Sequence, residues 1–542
     1  MALQVPFVPY VAAITVAGYS VGKLSETTTA SILSWLLPTA VLLHVFYSSY
    51  IYPFYLSPLR HVPTVPGFPL WGQFYEIITS ECAVPARKWH AQHGGVVRYF
   101  FPFGSERLSI ADDDAIKQMT VRNPYNWPKP LRAKAWMLPV LGEGVLLAEG
   151  QTHVQQRKAL TPAFSITSIR SLMPVFWKKA LHMSELWDTE VHQEPTKTKS
   201  FEVLEWLNRT TLDIIGKAGL GTDIDSLDDP ETPLRQAYRA CFDFGLQARI
   251  INGLAAFTQL VRLVPAKTNK DIAFAKNTIL SRATDIIKQK QVEAQENKKT
   301  SKPKDIIGLI VRDNMTASKE DALTIDAMRD QVMTFLGAGH DTTATSAAWT
   351  LMLLAKHPEI QTKLRNEIRE SLPFLFDDSK RYDSAMFEKA DVDLLPYLED
   401  VCKESLRYIP SIPMTVRRSR EDDQMGGYFV PAGTTVYLMA NAINRLESYW
   451  GPTANTFDPD RWHNLPPTYT TNAFMTFLQG PRGCIGRKFA EVEMKALLCA
   501  LLSKFTFEMD KTFKEDPEDL KMWRLVLRPR DGINLQVSPI KA

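Results

Sequence analysis

Apolar and charged positions divide the chain unevenly. Residues 1–22 carry no charged side chain, Lys23 and Glu26 interrupt, and residues 27–59 are again free of Asp, Glu, Lys and Arg. From about Ala30 to Ile51 the chain has the roughly 20 mostly apolar residues that a spanning helix needs; Leu3–Val21 comes close, weakened by Pro6 and Pro9. The pattern predicts a membrane anchor of one or two transmembrane helices within residues 1–56. A cleaved signal peptide fits less well, because the first stretch lacks a basic start and the second is too long for a signal core. Pro58, Pro63, Pro66 and Pro69 then stop any helix or central strand, so residues 57–70 read as a stiff linker before a body of residues 71–542.

Within the body, Thr324 and Asp326 open a long helical pattern that runs to His357, where Pro358 stops it. Between Val332 and Leu354 apolar residues occur on every side, which marks a buried helix crossing the domain. Gly94–Phe101 and Thr434–Met439 read as strands, and the polar run Lys288–Lys304 as a solvated helix end and loop. Helical patterns dominate elsewhere. The expected fold is mainly α with a minor β part.

Composition narrows the function. With 63 basic and 60 acidic residues the net charge is +3, too balanced to mark a nucleic-acid binder. Five cysteines, at 82, 241, 402, 484 and 499, are odd in number, scattered and without CxxC spacing, which argues against a disulfide framework or a structural zinc site.

One cysteine has unusual surroundings. Cys484 stands between Gly483 and Gly486 just before a helical run, in Phe477-Leu-Gln-Gly480-Pro-Arg482-Gly-Cys484-Ile-Gly486-Arg487-Lys488. Glycines let backbone N–H groups turn toward the sulfur, and a helix start with nearby cations lowers a thiol pKa. In the long helix, Ala338-Gly-His340-Asp341-Thr342-Thr343 places polar groups in an apolar setting, where they must be satisfied or used. Gly337 and Gly339 would let a backbone approach a flat cofactor, while Thr342 can return its hydroxyl one turn back and, with Asp341, order water for proton delivery.

These two segments resemble the haem-binding signature and the oxygen-activating helix motif of the cytochrome P450 family. Further segments in the expected order are similar to the family's: Gly150-x-x-His153-x-x-x-Arg157, Glu404-x-x-Arg407, Pro410–Arg417 and Pro459-Asp-Arg461-Trp. The resemblance covers roughly residues 58–540 and implies the cytochrome P450 fold with heme b. It implies Cys484 as the thiolate ligand to iron, Phe477 packed on the loop, and Arg482, Arg157, His153 and Arg417 toward the haem propionates. Asp341 and Thr342 would support proton delivery during O–O cleavage, and Glu404, Arg407 and Arg461 would brace the thiolate loop. His340 holds the variable place of its motif and reads as a packed or hydrogen-bonded side chain.

The implied activity is monooxygenation of a bulky apolar small molecule, with electrons from NADPH through a membrane-bound NADPH–cytochrome P450 reductase docking near Arg487 and Lys488. The implied site is the endoplasmic reticulum membrane with the body facing the cytosol, and the chain looks like fungal members acting on terpenoids, polyketides or indole alkaloids. Trp127, Trp136, Phe242, Phe244, Phe335, Ile412, Met414 and Trp523 fall in regions that line the substrate cavity of relatives, or belong to the core. Two other readings stay open at this point: a thiolate-haem isomerase or dehydratase needing no external electrons, and a non-catalytic membrane haem or lipid-binding protein.

Overall fold

The computed structural model describes the chain apart from residues 1–12, 18, 21–28, 68–69, 243–247, 249–250, 252–258, 297–303, 319, 389, 512, 514, 524–525 and 541–542. It forms two compact units, residues 1–128 with 414–446, and residues 129–413 with 447–542.

The first unit is built on a mixed sheet. β1 (Val96–Phe101) and β2 (Ser105–Ile110) form an antiparallel hairpin, and β3 (Thr415–Arg418) and β4 (Thr435–Leu438) complete the order β1-β2-β4-β3, with β2 and β4 parallel. Both expected strands are present. Val96 to Phe100 are all buried, so the strand reads as a continuous apolar run rather than an alternating one. Arg98 is the exception in type but not in burial, and its charge is met by Glu106 at 2.9 Å. The proline-rich stretch lies along β1: Arg98 N–H donates to the Pro63 carbonyl at 2.7 Å and Val65 N–H to the Arg98 carbonyl at 2.9 Å.

Helix α1 (Thr29–Phe46) continues as a π-helical turn over Tyr47–Leu56, with Pro38 and Pro53 inside the two parts. Gly104 lets the β1–β2 turn approach this segment, since a Cβ there would stand 2.1 Å from the Ser48 carbonyl. Among the described residues no helix is long and apolar enough to cross a membrane. The apolar stretch ends in Tyr47-Ser-Ser-Tyr-Ile-Tyr-Pro, whose hydroxyls dilute it where a spanning helix would need its last turns. The other candidate, Leu3–Val21, lies largely outside the described residues.

Helices dominate the second unit. α2 (Gly150–Leu160), α3 (Val203–Ile214), α4 (Ile325–Gly339), α5 (Asp341–Lys356), α6 (Pro396–Tyr408) and α7 (Arg487–Leu502) carry the residues of interest, and α5 packs against α3, α6 and α7. A three-stranded antiparallel sheet joins Lys199–Glu202, Asn534–Pro539 and Phe505–Met509, and a short hairpin pairs β5 (Lys521–Trp523) with β6 (Leu527–Pro529).

The sequence predicts one helix from Thr324 to His357, but the structure breaks it at His340 between α4 and α5. The His340 carbonyl accepts a hydrogen bond from the Thr211 hydroxyl of α3 at 3.0 Å. A side chain inserted into the hydrogen-bond ladder is an established cause of a helix kink. From Thr343 to Leu354 every residue of α5 is buried, as the all-round apolar pattern requires.

Candidate active site

The Cys484 loop is closed by its own backbone. Cys484 N–H donates to the Phe477 carbonyl at 2.8 Å and Gly483 N–H to the Gly480 carbonyl at 3.0 Å. Gly480 has φ +69°, a conformation costly for any residue with a Cβ, and Leu478 also takes a positive φ of 56°. The Arg487 guanidinium covers the Phe477 ring at 5.3 Å, so Phe477 packs against the start of α7.

Cys484 is exposed, although protein surrounds it densely. Burial raises its thiol pKa, against the opposing pull of the Gly486 N–H and of the Arg157 and Arg487 charges. The loop and cations alone therefore do not produce the lowered thiol pKa that the sequence led us to expect; desolvation outweighs them. A metal cation deprotonates a coordinating thiol outright. A Cβ at Gly486, whose N–H reaches the sulfur, would meet nothing within 4 Å, which leaves room for a flat group beside the thiol. The residues present fit a haem. Among the described residues no group of three or more His, Cys, Asp and Glu could hold a bare metal ion.

Cationic side chains gather beside the loop. Arg157 of α2 donates to the Gly483 carbonyl at 2.6 Å, and Arg482 pairs with Glu149, the residue that precedes α2. Despite its burial, the Glu149 carboxyl is held below the usual carboxylate range by Arg482 and by the Lys129 N–H. His153 is buried, and its pKa is pushed down to about 4 by desolvation and by the charges of Arg482, Lys129 and Arg157. It is therefore a neutral donor near pH 7. Arg417 belongs to the first unit, where it is buried on β3 and bonds the Thr415 hydroxyl and, at 2.9 Å, the Val416 carbonyl.

The motif at the helix break is only partly as expected. The Thr342 hydroxyl donates to the Ala338 carbonyl at 2.9 Å, the anticipated return of one turn. The Asp341 carboxylate is nearly buried and is engaged by the guanidinium of Arg528 on β6. Gly337 and Gly339 do not face an open space: a Cβ at Gly337 would stand 2.2 Å from Leu141, and one at Gly339 3.0 Å from Ile215. Both glycines serve helix packing. His340 is buried, donates Nδ1–H to the Leu336 carbonyl at 2.6 Å and meets Tyr238 edge-on at 5.2 Å; burial lowers its pKa.

The bracing triad forms inside the second unit. Glu404 receives two hydrogen bonds from Arg407, at 2.8 and 2.7 Å, one from Arg461 at 3.2 Å and one from Asp458 N–H at 2.9 Å. The arginines go on to the Ala454 carbonyl at 2.7 Å and the Thr453 carbonyl at 2.7 Å, and Thr476 ties the approach to the Cys484 loop onto the Leu406 carbonyl at 2.7 Å.

Other expectations change. Arg487 and Lys488 are paired with Glu491 at 2.8 Å and Asp393 at 2.7 Å, the latter carboxylate shared with Lys495. Trp127 is a core residue of the first unit, donating to Asp423 at 3.0 Å, and Phe335 is buried edge-on to Phe164 at 5.4 Å. Phe244 and the side chains of Trp136, Phe242 and Trp523 lie outside the described residues.

Residues that the sequence did not reveal are Glu149, Ser411, Glu493 and Arg528. Ser411 donates its hydroxyl to the Thr342 carbonyl at 2.8 Å, and Glu493 of α7 is fully buried beside Thr343, where desolvation holds its carboxyl well above the usual range. A buried Glu on an apolar helix face was the one available signal. Arg528 had none, being 187 residues from its partner.

The family model described as Cytochrome P450 matches residues 62–537, and the chain belongs to that family. It is 33% identical over 510 residues to the cytochrome P450 monooxygenase sphH of Aspergillus fumigatus, covering 92% of this chain and 91% of that protein. It is 33% identical to the monooxygenase ALT8 of Alternaria alternata, covering 91% of each, and 31% identical to FUM15 of Gibberella moniliformis, covering 93% and 92%. The chain is thus an oxidoreductase of the haem monooxygenase type, and its mainly helical architecture with small sheets is that of the family. Such enzymes use haem iron and draw electrons from NADPH through a reductase.

Proposed function

We propose that this chain is a membrane-anchored monooxygenase that oxidises a bulky apolar small molecule in fungal secondary metabolism, with Cys484 as the thiolate ligand. The observation that carries it is the exposed Cys484 thiol, bonded by the Gly486 N–H, next to the cations of the loop. Bound haem supplies the oxidising chemistry, and a thiolate ligand favours O–O cleavage. The protein's residues do the rest. The Gly486 N–H steadies charge on the sulfur, while Arg157, Arg482, neutral His153 and Arg417 are assigned to the propionates. Phe477 packs the loop. Thr342, its hydroxyl fixed on Ala338, and Asp341 order water and pass protons inward.

The relatives named above are fungal monooxygenases, and the substrate is assigned here to the terpenoids, polyketides or indole alkaloids. Untargeted comparison of metabolites from cells with and without the gene tests it. Deletion is expected to accumulate an apolar precursor that lacks one oxygen of the missing product; accumulation of a polar precursor overturns this substrate class.

Residues 1–56 are assigned to an anchor in the endoplasmic reticulum membrane, residues 57–70 to the segment that follows it, and residues 71–542 to a cytosolic haem domain that meets a membrane-bound reductase. The support is the charge-free run of residues 27–59, with Arg60 directly after it. The full chain is expected to sediment with membranes after a carbonate wash, and the chain lacking residues 1–56 to be released; equal release of both removes the anchor.

A further inference from the structure

Three hydroxyls follow one another along a single face of α5. Thr342, Ser346 and Thr350 stand four residues apart, and each donates to the carbonyl one turn back: Thr342 to Ala338 at 2.9 Å, Ser346 to Thr342 at 3.0 Å and Thr350 to Ser346 at 2.8 Å. Such a bond gives the carbonyl a second donor and often bends the helix. Ser346 and Thr350 each have a further partner outside α5. Ser346 Oγ lies 2.5 Å from Ser411 Oγ, just past the end of α6, and Thr350 Oγ1 lies 2.5 Å from Ser405 Oγ, on α6 itself. These four side chains are buried, whereas Thr342 is half-buried. Packing alone does not call for hydroxyls here, since Ala344, Ala347 and Ala348 fill neighbouring buried places on the same helix with no polar atom to satisfy.

The Thr342 carbonyl is the place where two of these hydroxyls meet, Ser411 at 2.8 Å and Ser346 at 3.0 Å. The two serines have two hydrogens between them. In one arrangement Ser411 donates to the carbonyl and Ser346 to the Ser411 oxygen; in the other, Ser346 donates to the carbonyl and Ser411 to the Ser346 oxygen. Either one leaves the carbonyl with a hydroxyl donor and both hydroxyls paired, as burial requires. Ser411 is itself held in place: Leu527 N–H donates to its carbonyl at 2.8 Å, and the Leu527 carbonyl accepts from Trp349 Nε1 at 2.8 Å. Trp349 belongs to α5, so this chain of bonds begins and ends on the helix that carries Thr342.

We propose that Ser346 and Ser411 are paired positioning residues for Thr342: two interchangeable hydroxyls that hold its carbonyl, and with it the turn that keeps the Thr342 hydroxyl on Ala338. Either serine suffices, because the carbonyl needs one of the two. The proposal rests on the reading of Thr342 as a proton-delivery residue.

The test uses the full-length holoenzyme with reductase and NADPH and no added substrate. There O2 leaves as hydrogen peroxide, consuming one NADPH and one proton, or as two waters, consuming two NADPH and two protons. Ser346→Ala and Ser411→Ala are each expected to change the water-forming flux by less than about twofold, because the surviving hydroxyl keeps the bond to Thr342. The double variant should lower that flux about tenfold and raise the peroxide fraction, within the range that a displaced working group produces. A double effect larger than the product of the single ones is the mark of two groups serving one acceptor. Ser411→Thr in the Ser346→Ala background keeps a hydroxyl and should restore the flux. Hydrogen exchange followed by mass spectrometry reads the same turn without turnover: the amides of residues 342–350 should exchange faster in the double variant, and as in the parent in the single ones. Thr342→Ala is the reference. If it raises the peroxide fraction and the double serine variant does not, the role of the serines is overturned while that of Thr342 stands. If Thr342→Ala leaves the fraction unchanged, the reading of Thr342 falls and this proposal with it. Single effects that simply multiply to the double one also overturn the pairing. Should the double variant not yield holoprotein, Ser346→Cys with Ser411→Ala, which keeps the volume and only a weak S–H donor, replaces it and should shift the fraction in the same direction.

Discussion

Cys484→Ala is expected to reduce NADPH-driven oxidation to background and to remove the thiolate-type spectrum of the reduced, carbon monoxide-treated protein. The reason is local. In the folded chain the thiol is held neutral by burial, which the Gly486 N–H and the Arg157 and Arg487 charges only partly offset. In the proposed reading the charge of bound iron would make it a thiolate, and the other two cysteines described in the second unit, Cys402 and Cys499, are buried, with desolvation raising both their pKa values. Cys484→His should keep haem better than the Ala variant but move the carbon monoxide band to that of a histidine-ligated haem and slow O–O cleavage. Cys402→Ala should leave the spectrum as it is. A thiolate-type spectrum surviving in Cys484→Ala would sink the assignment.

The second large effect concerns stability. Glu404→Ala strands two buried guanidinium groups that now converge on one carboxylate, Arg407 by a forked pair and Arg461 by a single bond. Removing one partner of a buried ion pair costs about 3–5 kcal/mol. Against a total stability on the order of 5–15 kcal/mol, that is a large share. The expected result is a sharply lower Tm and a low yield of haem-loaded protein. Glu404→Gln, which keeps the shape and one acceptor, should lose less. Replacing all three residues by apolar ones of similar volume should recover part of the loss, because the cost lies in the unpaired charge rather than in the missing contact. An Ala variant as stable as the parent would show that the triad does not brace the unit.

The Glu404–Arg407 pair was visible at i, i+3 on one helical face, but Arg461 joined it only through the family resemblance, because 57 residues separate it from Glu404. The same contrast runs through the site. The Cys484 loop could be read almost whole, since the hydrogen bond that closes it spans the eight residues from Phe477 to Cys484. The break at His340 could not: it depends on a hydroxyl from Thr211, 129 residues earlier. Gly337 and Gly339 marked close approach correctly, but Leu141 and Ile215 make that approach. The acidic partners of Arg487 and Lys488 were not read from the sequence: Glu491 is one helical turn on from Arg487, and Asp393 is far along the chain from Lys488.

By itself the sequence determined what is set by local spacing: the buried central helix, the strand at Val96, the glycine-built turn that carries Cys484 and the return of the Thr342 hydroxyl to Ala338. Periodicity and turn chemistry act over a few residues and are written there. The tertiary structure alone decided which charges meet, placing Glu149 on Arg482 and Arg528 on Asp341 and burying Glu493 beside Thr343. Those pairings follow from how distant segments pack and from the solvent they exclude, and neither quantity is written in the neighbours of any one residue.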